Sequence, residues 1–205
     1  MSASVTAQGA AQHEAAATTE ARPLAWYGMV FFIASEAVFF ANLIAAYLYL
    51  RVRAGAWPAP SDAAFTFELN KVLVGINTVI LLSSSFPMHR AGRAAARGDR
   101  GALVRNLIFT AILGAAFLSI QAYEFTHSSF GPTSGIFGST FYTLTGFHGA
   151  HVTAGLIFIL VTTVRAARGH FSAKHHLAVQ AAEMYWHFVD VVWIFLFTLV
   201  YLLTK

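Results

Sequence analysis

The sequence predicts an all-α membrane protein with five transmembrane helices, and three observations carry that reading. Only 11% of its 205 residues are charged while 57% are hydrophobic, against roughly 25% charged in soluble domains. Apolar stretches long enough to cross a bilayer, which takes about 20 residues, recur along the chain. The basic residues gather at the ends of those stretches, as in the positive-inside pattern of membrane proteins. The net charge of +4 therefore does not argue for nucleic acid. Cysteine is absent, which excludes disulfides, thiolate-ligated iron–sulfur clusters and cysteine-bridged copper centres within this chain.

Residues 1–21 are rich in Ala, Thr and Gln and hold Glu14 and Glu20. They have neither the basic start nor the apolar stretch of a secretory signal, and read as a disordered tail ahead of a membrane domain over 22–205. The first span runs from about Leu24 to Leu50, opened by Pro23 and closed by Arg51 and Arg53; Pro suits a helix start. The second runs from about Val72 to Met88, with Pro87 near its end. The third covers about Leu103 to Ala122, the fourth Phe137 to Val164, and the fifth Leu177 to Leu203.

The connectors suggest an orientation. His89, Arg90, Arg93, Arg97, Arg100 and Arg105 surround the junction of the second and third spans. Arg165, Arg168, His170, Lys174, His175 and His176 fill the junction of the fourth and fifth. The stretch from Phe125 to Ser139 has no Lys or Arg, and its Gly131, Pro132, Ser134 and Gly135 read as turns. Positive loops stay in the cytoplasm, so the N-terminus is expected inside and the C-terminus outside. The first connector fits less well, because Arg51, Arg53 and Lys71 then lie outside, accompanied by Asp62 and Glu68.

Ionisable groups within the spans are the candidate functional residues, since a charge in hydrocarbon costs several kcal/mol and is retained for a partner or a function. Glu36 lies about 18 Å along a helix starting near Leu24, close to mid-bilayer. It is either a carboxyl bonded to a neighbouring helix or a proton-relay or lipid-contact group. His148 and His151 sit three apart among glycines that admit a close neighbour; two helix-borne imidazoles supply only half of a four-ligand metal site. Arg165 lies fourteen residues beyond His151, on the same face and about 21 Å along the helix. The two could line one groove for an anionic lipid, whose phosphate suits arginine. Glu124 is expected as an interfacial carboxylate at the outer end of the third span. On the fifth span Gln180, Glu183, His187 and Asp190 form one polar stripe, which must face protein or water rather than lipid. It reads as a polar seam docking this helix on its neighbours.

These residues leave three classes open. A membrane metal or haem protein could draw on His148, His151, His175, His176 and His187, although His175 and His176 belong at the cytoplasmic edge and the others lie deep. A proton or ion carrier could use Glu36, Glu124 and Asp190, but no span is broken midway as transporter sites often are. An accessory subunit of a larger complex explains polar stripes without a complete active site, with the aromatic 15% as packing and interface surface.

Five blocks of sequence decide among them by resemblance: Ser35-Glu36-Ala37-Val38-Phe39-Phe40, Ala56-Trp57-Pro58, Gly138-Ser139-Thr140-Phe141-Tyr142, Thr145-Gly146-Phe147-His148-Gly149-Ala150-His151-Val152 and Tyr185-Trp186-His187-Phe188-Val189-Asp190-Val191-Val192-Trp193. In order and spacing they resemble subunit III of the haem–copper oxidases, from about Leu24 to the C-terminus. The chain looks like the five-helix form lacking the first two of seven helices. The resemblance implies a V-shaped bundle with a phospholipid-holding cleft and no redox centre or metal ligand set in this chain. It implies haem and copper in partner subunits I and II, which reduce oxygen to water and pump protons. By position it implies that Glu36 is the family's proton-related intramembrane carboxyl. Glu36, His151, Arg165 and His170 match positions near lipid head groups, and Glu183, His187 and Asp190 fall in a structural terminal motif. Many members carry Glu where this chain has Gln180. Glu36 and the Trp57-Pro58 connector look more like the cytochrome c branch than the quinol branch, in a bacterial plasma membrane.

Overall fold

The computed structural model describes residues 23–59, 62 and 70–204; the expected disordered tail and most of the first connector, including Glu68, lie outside them. The described residues form α1 (Leu24–Ala54), α2 (Lys71–Ala96), α3 (Arg100–His127), α4 (Gly135–Ala167) and α5 (Leu177–Leu196), the last continued by a π-helical stretch, Phe197–Leu202. All five are long and apolar enough to span a membrane. The first four helices outrun the expected spans, because polar residues extend them beyond the apolar stretches, while the fifth ends at Leu202, one residue short of the expectation. The second is the clearest case: α2 continues through Pro87 to Ala96. Asn70 starts α2 by accepting from Leu73 N at 3.0 Å, and Asp99 starts α3 by accepting from Ala102 N at 2.9 Å, each satisfying a free N-terminal amide.

Packing centres on α5. Half of its apolar window is buried inside the protein, against 6% for α1. Trp186 is fully buried and threads between glycines: a Cβ on Gly114 of α3 would lie 2.6 Å from its ring, and one on Gly155 of α4 would lie 3.1 Å away. Its indole N–H donates to Ser84 Oγ on α2 at 2.8 Å. One side chain thus bonds or packs against three helices, with its polar atom satisfied, as a buried Trp requires. Two helical turns further on, Trp193 donates to Thr78 Oγ1 at 3.0 Å and packs edge-on against Phe117 with ring centres 5.0 Å apart.

The outlying helix α1 meets the rest along a single stripe: Trp26, Met29, Ile33, Glu36, Phe40, Leu43 and Tyr47 are half-buried or buried while the residues between them are mostly exposed. Its spacing of three and four is that of one helix face. Full burial comes only at Phe40 and Tyr47. Toward the N-terminal end a cleft opens, lined by residues including Pro23, Trp26, Arg165, His170 and Glu183. The outward faces carry large apolar side chains such as Phe31, Val38, Val79, Phe86, Ile112 and Phe195, as a lipid-facing surface requires.

The misfit cations of the first connector have a structural task. Arg51 donates to the carbonyl oxygen of Leu203 at 2.6 Å and Lys71 Nζ to that of Thr204 at 2.8 Å. They cap the last carbonyls of the final helix, which carry partial negative charge. Asp62 binds the opposite kind of terminus: its two carboxylate oxygens accept from Ile136 N at 3.0 Å and Phe137 N at 2.9 Å, at the start of α4.

Candidate functional site

Glu36 and His151 meet halfway along the α1 groove. His151 Nε2 lies 2.8 Å from Glu36 Oε2, and His151 Nδ1 lies 2.7 Å from the carbonyl oxygen of Phe147, one turn back on α4. The carbonyl can only accept, so Nδ1 carries a proton toward it within α4, and a separate proton, on the imidazole or the carboxyl, bridges Nε2 and Oε2 between α4 and α1. Phe39 and Phe40 wall the pair, with ring centres 6.0 and 4.8 Å from that of His151. Tyr185 OH reaches the carbonyl oxygen of His151 at 3.3 Å. Both side chains keep about a fifth of their surface open, 17% for His151 and 23% for Glu36. The pair is thus a polar spot in an apolar groove, accessible from one side.

Arg165 and His170 lie at the cleft end of the same groove and line it together. The Arg165 guanidinium sits 5.1 Å over the Phe171 ring, and the amide N–H of His170 donates to the Arg165 carbonyl oxygen at 3.1 Å where α4 ends. The cleft holds about 1210 Å³, and Lys174, His175 and His176 add further cationic or ionisable groups to its wall. Glu36 and His151 are not among its lining residues. The expected lipid-contact residues therefore divide into a mid-helix pair and a cationic rim, joined by one face of α4.

The polar seam links α5 to α2. Ser85 Oγ donates to Asp190 Oδ2 and lies 3.1 Å from His187 Nδ1, while His187 and Asp190 approach to 4.0 Å directly. One turn earlier Glu183 Oε1 meets His89 Nδ1 at 2.9 Å and His187 Nε2 at 3.8 Å. Gln180 departs from the expected stripe: its amide is 3.1 Å from His176 Nε2, and it lines the open cleft.

Two further side chains take up buried positions. Glu124, three residues before the end of α3, is buried against the protein. Gln121 Nε2 and Tyr201 OH each donate to its Oε2 at 3.0 Å, the π-helical stretch having turned Tyr201 inward. His148 and His151 take separate neighbours: His148 is fully buried, stacked on Trp193 at 4.8 Å and edge-on to Phe117 at 6.0 Å. Among the described residues, the trio whose ligand atoms lie within 4.8 Å of one another is His89, Glu183 and His187. Sequence reasoning missed His89 and the cap made by Asp62; a Gly (Gly92) one turn beyond His89 was the only local signal for the first.

With this geometry in place, similarity to known proteins is informative. A model of the family described as cytochrome c oxidase subunit III matches residues 4–205. A protein of Synechocystis named cytochrome c oxidase subunit 3 is 47% identical over 181 residues, covering 88% of this chain and 76% of its own length. One of Thermostichus vulcanus with the same name is 42% identical over 179 residues, covering 87% of each chain. A probable cytochrome c oxidase subunit 3 of Rickettsia prowazekii is 42% identical over 191 residues, covering 86% of this chain and 67% of its own.

Proposed function

This chain belongs to the cytochrome c oxidase subunit III family, and from that membership we propose that it is a non-catalytic accessory subunit of a proton-pumping terminal oxidase. In this reading subunits I and II hold the haems and copper, cytochrome c delivers electrons through the complex, and oxygen is reduced to water outside this chain. The Glu36–His151 pair is the observation that carries the reading. A carboxyl and an imidazole bonded across two helices at mid-span, partly open to one side, suit a group that contacts lipid or exchanges a proton. They lack the converging donors of a redox or metal centre.

Phospholipid occupies the α1 groove in this proposal. Acyl chains lie along the apolar residues of α1, and the phosphate rests against Arg165 and His170 at the cleft rim. The lipid and the α5 seam support subunit I and sustain its proton uptake during turnover. The chain is a multi-pass membrane protein. We place it in a bacterial plasma membrane with its N-terminus cytoplasmic; the task of Arg51 and Lys71 as caps supports that orientation, because it explains why cations stand on the outer side.

The test is a reduced-minus-oxidised visible spectrum of the complex that co-purifies with this chain from its native membrane in mild detergent. Haem a bands together with cytochrome c oxidation are expected. A complex oxidising quinol instead would reassign the donor, and a haem-free isolate that moves protons alone would overturn the reading.

A further inference from the structure

We propose that His89, Glu183 and His187 form a binding site for a divalent transition metal of the zinc type, bridging α2 and α5 near the cleft end of the bundle. The inference rests on side chains of this chain alone and stands apart from the oxidase reading.

Distances come first. Glu183 Oε1 lies 2.9 Å from His89 Nδ1 and 3.8 Å from His187 Nε2, and one ligand atom of each residue is within 4.8 Å of the others. Tetrahedral zinc holds nitrogen and oxygen ligands at about 2.0–2.2 Å, which sets them roughly 3.3–3.5 Å apart. The two Glu183 separations straddle that value and the third stays within 4.8 Å, so closing around an ion requires only small side-chain movements. Two imidazoles and a carboxylate with one open position are a recurrent zinc ligand set.

The surroundings orient the ligands. His187 points Nε2 at Glu183, and its Nδ1 sits 3.1 Å from Ser85 Oγ, which itself donates to Asp190. A proton on Nδ1 is therefore accepted by the serine oxygen, with the carboxylate behind it, leaving the Nε2 lone pair free for a metal. Such backing by a hydroxyl and carboxylate fixes the tautomer of ligating histidines. Glu183 has room because residue 92 is glycine: a Cβ there would lie 2.0 Å from Glu183 Oε2. Access is open as well, since the His89 side chain is 55% exposed and His187 40% exposed. Glu183 also lines the cleft. Glu183 and His187 are one turn apart on α5 while His89 comes from α2, so a bound ion would pin the two helices together.

The test uses the complete complex purified with this chain, stripped by a chelator and titrated with Zn2+ alone, with bound metal counted by elemental mass spectrometry. The wild type is expected to hold one more tight zinc ion than H89A. S85A is expected to keep all three ligands yet bind about tenfold or more weakly, the loss typical of removing a backing group. H89C, which restores a zinc ligand, should regain the ion, and the zinc X-ray absorption edge of the wild type should report mixed imidazole and carboxylate ligation. His89 is exposed, and the visible spectrum of each variant checks assembly. Equal zinc number and affinity in wild type and H89A would overturn the site. So would a zinc ion lost in H89A and not regained in H89C. Zinc sites on other subunits cancel in the comparison, and failure of the oxidase reading would appear separately as absent haem.

Discussion

His151 Nε2 and Glu36 Oε2 are 2.8 Å apart, a polar contact joining α4 to the loosely seated α1. Elsewhere along that groove α1 contributes mainly apolar side chains. The pair therefore helps set the height and rotation of α1. Glu36→Gln keeps an acceptor and a donor for the imidazole but removes the ionisable carboxyl. In the proposed oxidase it should leave haem content intact and mildly change proton uptake or the lifetime of activity during turnover. Oxygen consumption followed over many turnovers, with a pH electrode in reconstituted vesicles, reads both. Complete loss of oxygen reduction in a fully assembled complex would count against the accessory role.

Arg165 holds its guanidinium over Phe171 at the rim of the cleft. Arg165→Ala removes the guanidinium that the proposal sets against the lipid phosphate and leaves the apolar groove untouched. Anionic phospholipid retained by the purified complex should fall, while neutral lipid along α1 stays. Native mass spectrometry distinguishes the two. Unchanged phospholipid content would sink the lipid assignment for this end of the groove.

Much of this was legible in the sequence, and the misses have physical causes. The five spans follow from apolar length, and Glu36, His187 and Asp190 stand out because charge in hydrocarbon needs a reason. Their partners were less legible. Pairing Glu36 with His151 depends on how α1 is rotated against α4, which spacing within either helix does not reveal. His89 fell outside the second span as read because Pro87 and the arginines after it looked like a helix end; the helix continues to Ala96 and carries His89 to Glu183. Glu124 stands near the outer end of α3 as its distance along the helix suggests, but its partner was not legible, because a π-helical stretch 73 or more residues later supplies Tyr201 to it.

Gly114 is the slot for the Trp186 ring. Gly114→Val adds branched volume where even a Cβ would lie 2.6 Å from the indole, in a core with no flexible chain end to yield. Overpacking of this kind costs about 1–3 kcal/mol, and the displaced indole also loses its bond to Ser84. The variant should lose α3–α5 packing at lower denaturant concentration than wild type in mixed micelles. Gly28, whose Cβ would meet nothing within 4 Å, is the control, and Gly28→Val should be close to neutral. Equal midpoints for the two variants would contradict the slot.

Asp62 reaches α4 across 74 residues of sequence, and its carboxylate replaces the cap that Ser134, immediately before the helix, does not provide. Both oxygens are used, on Ile136 N and Phe137 N, and 98% of the residue is shielded from solvent, its exposure being 2%. Gly135 leaves the space: a Cβ there would stand 2.2 Å from Asp62 Oδ1. A carboxylate at a helix N-terminus gains from the amides and from the helix dipole together. Asp62→Ala should therefore destabilise the chain by about 1–2 kcal/mol, with the loss concentrated at the start of α4, and Asp62→Asn should fall between because its single carbonyl oxygen can still accept. Amide hydrogen exchange in the purified complex locates the effect: Ile136 and Phe137 should exchange faster in Asp62→Ala while the middle of α4 is unchanged. Protection unchanged at those two amides would mean that the connector, and not this carboxylate, holds the helix start.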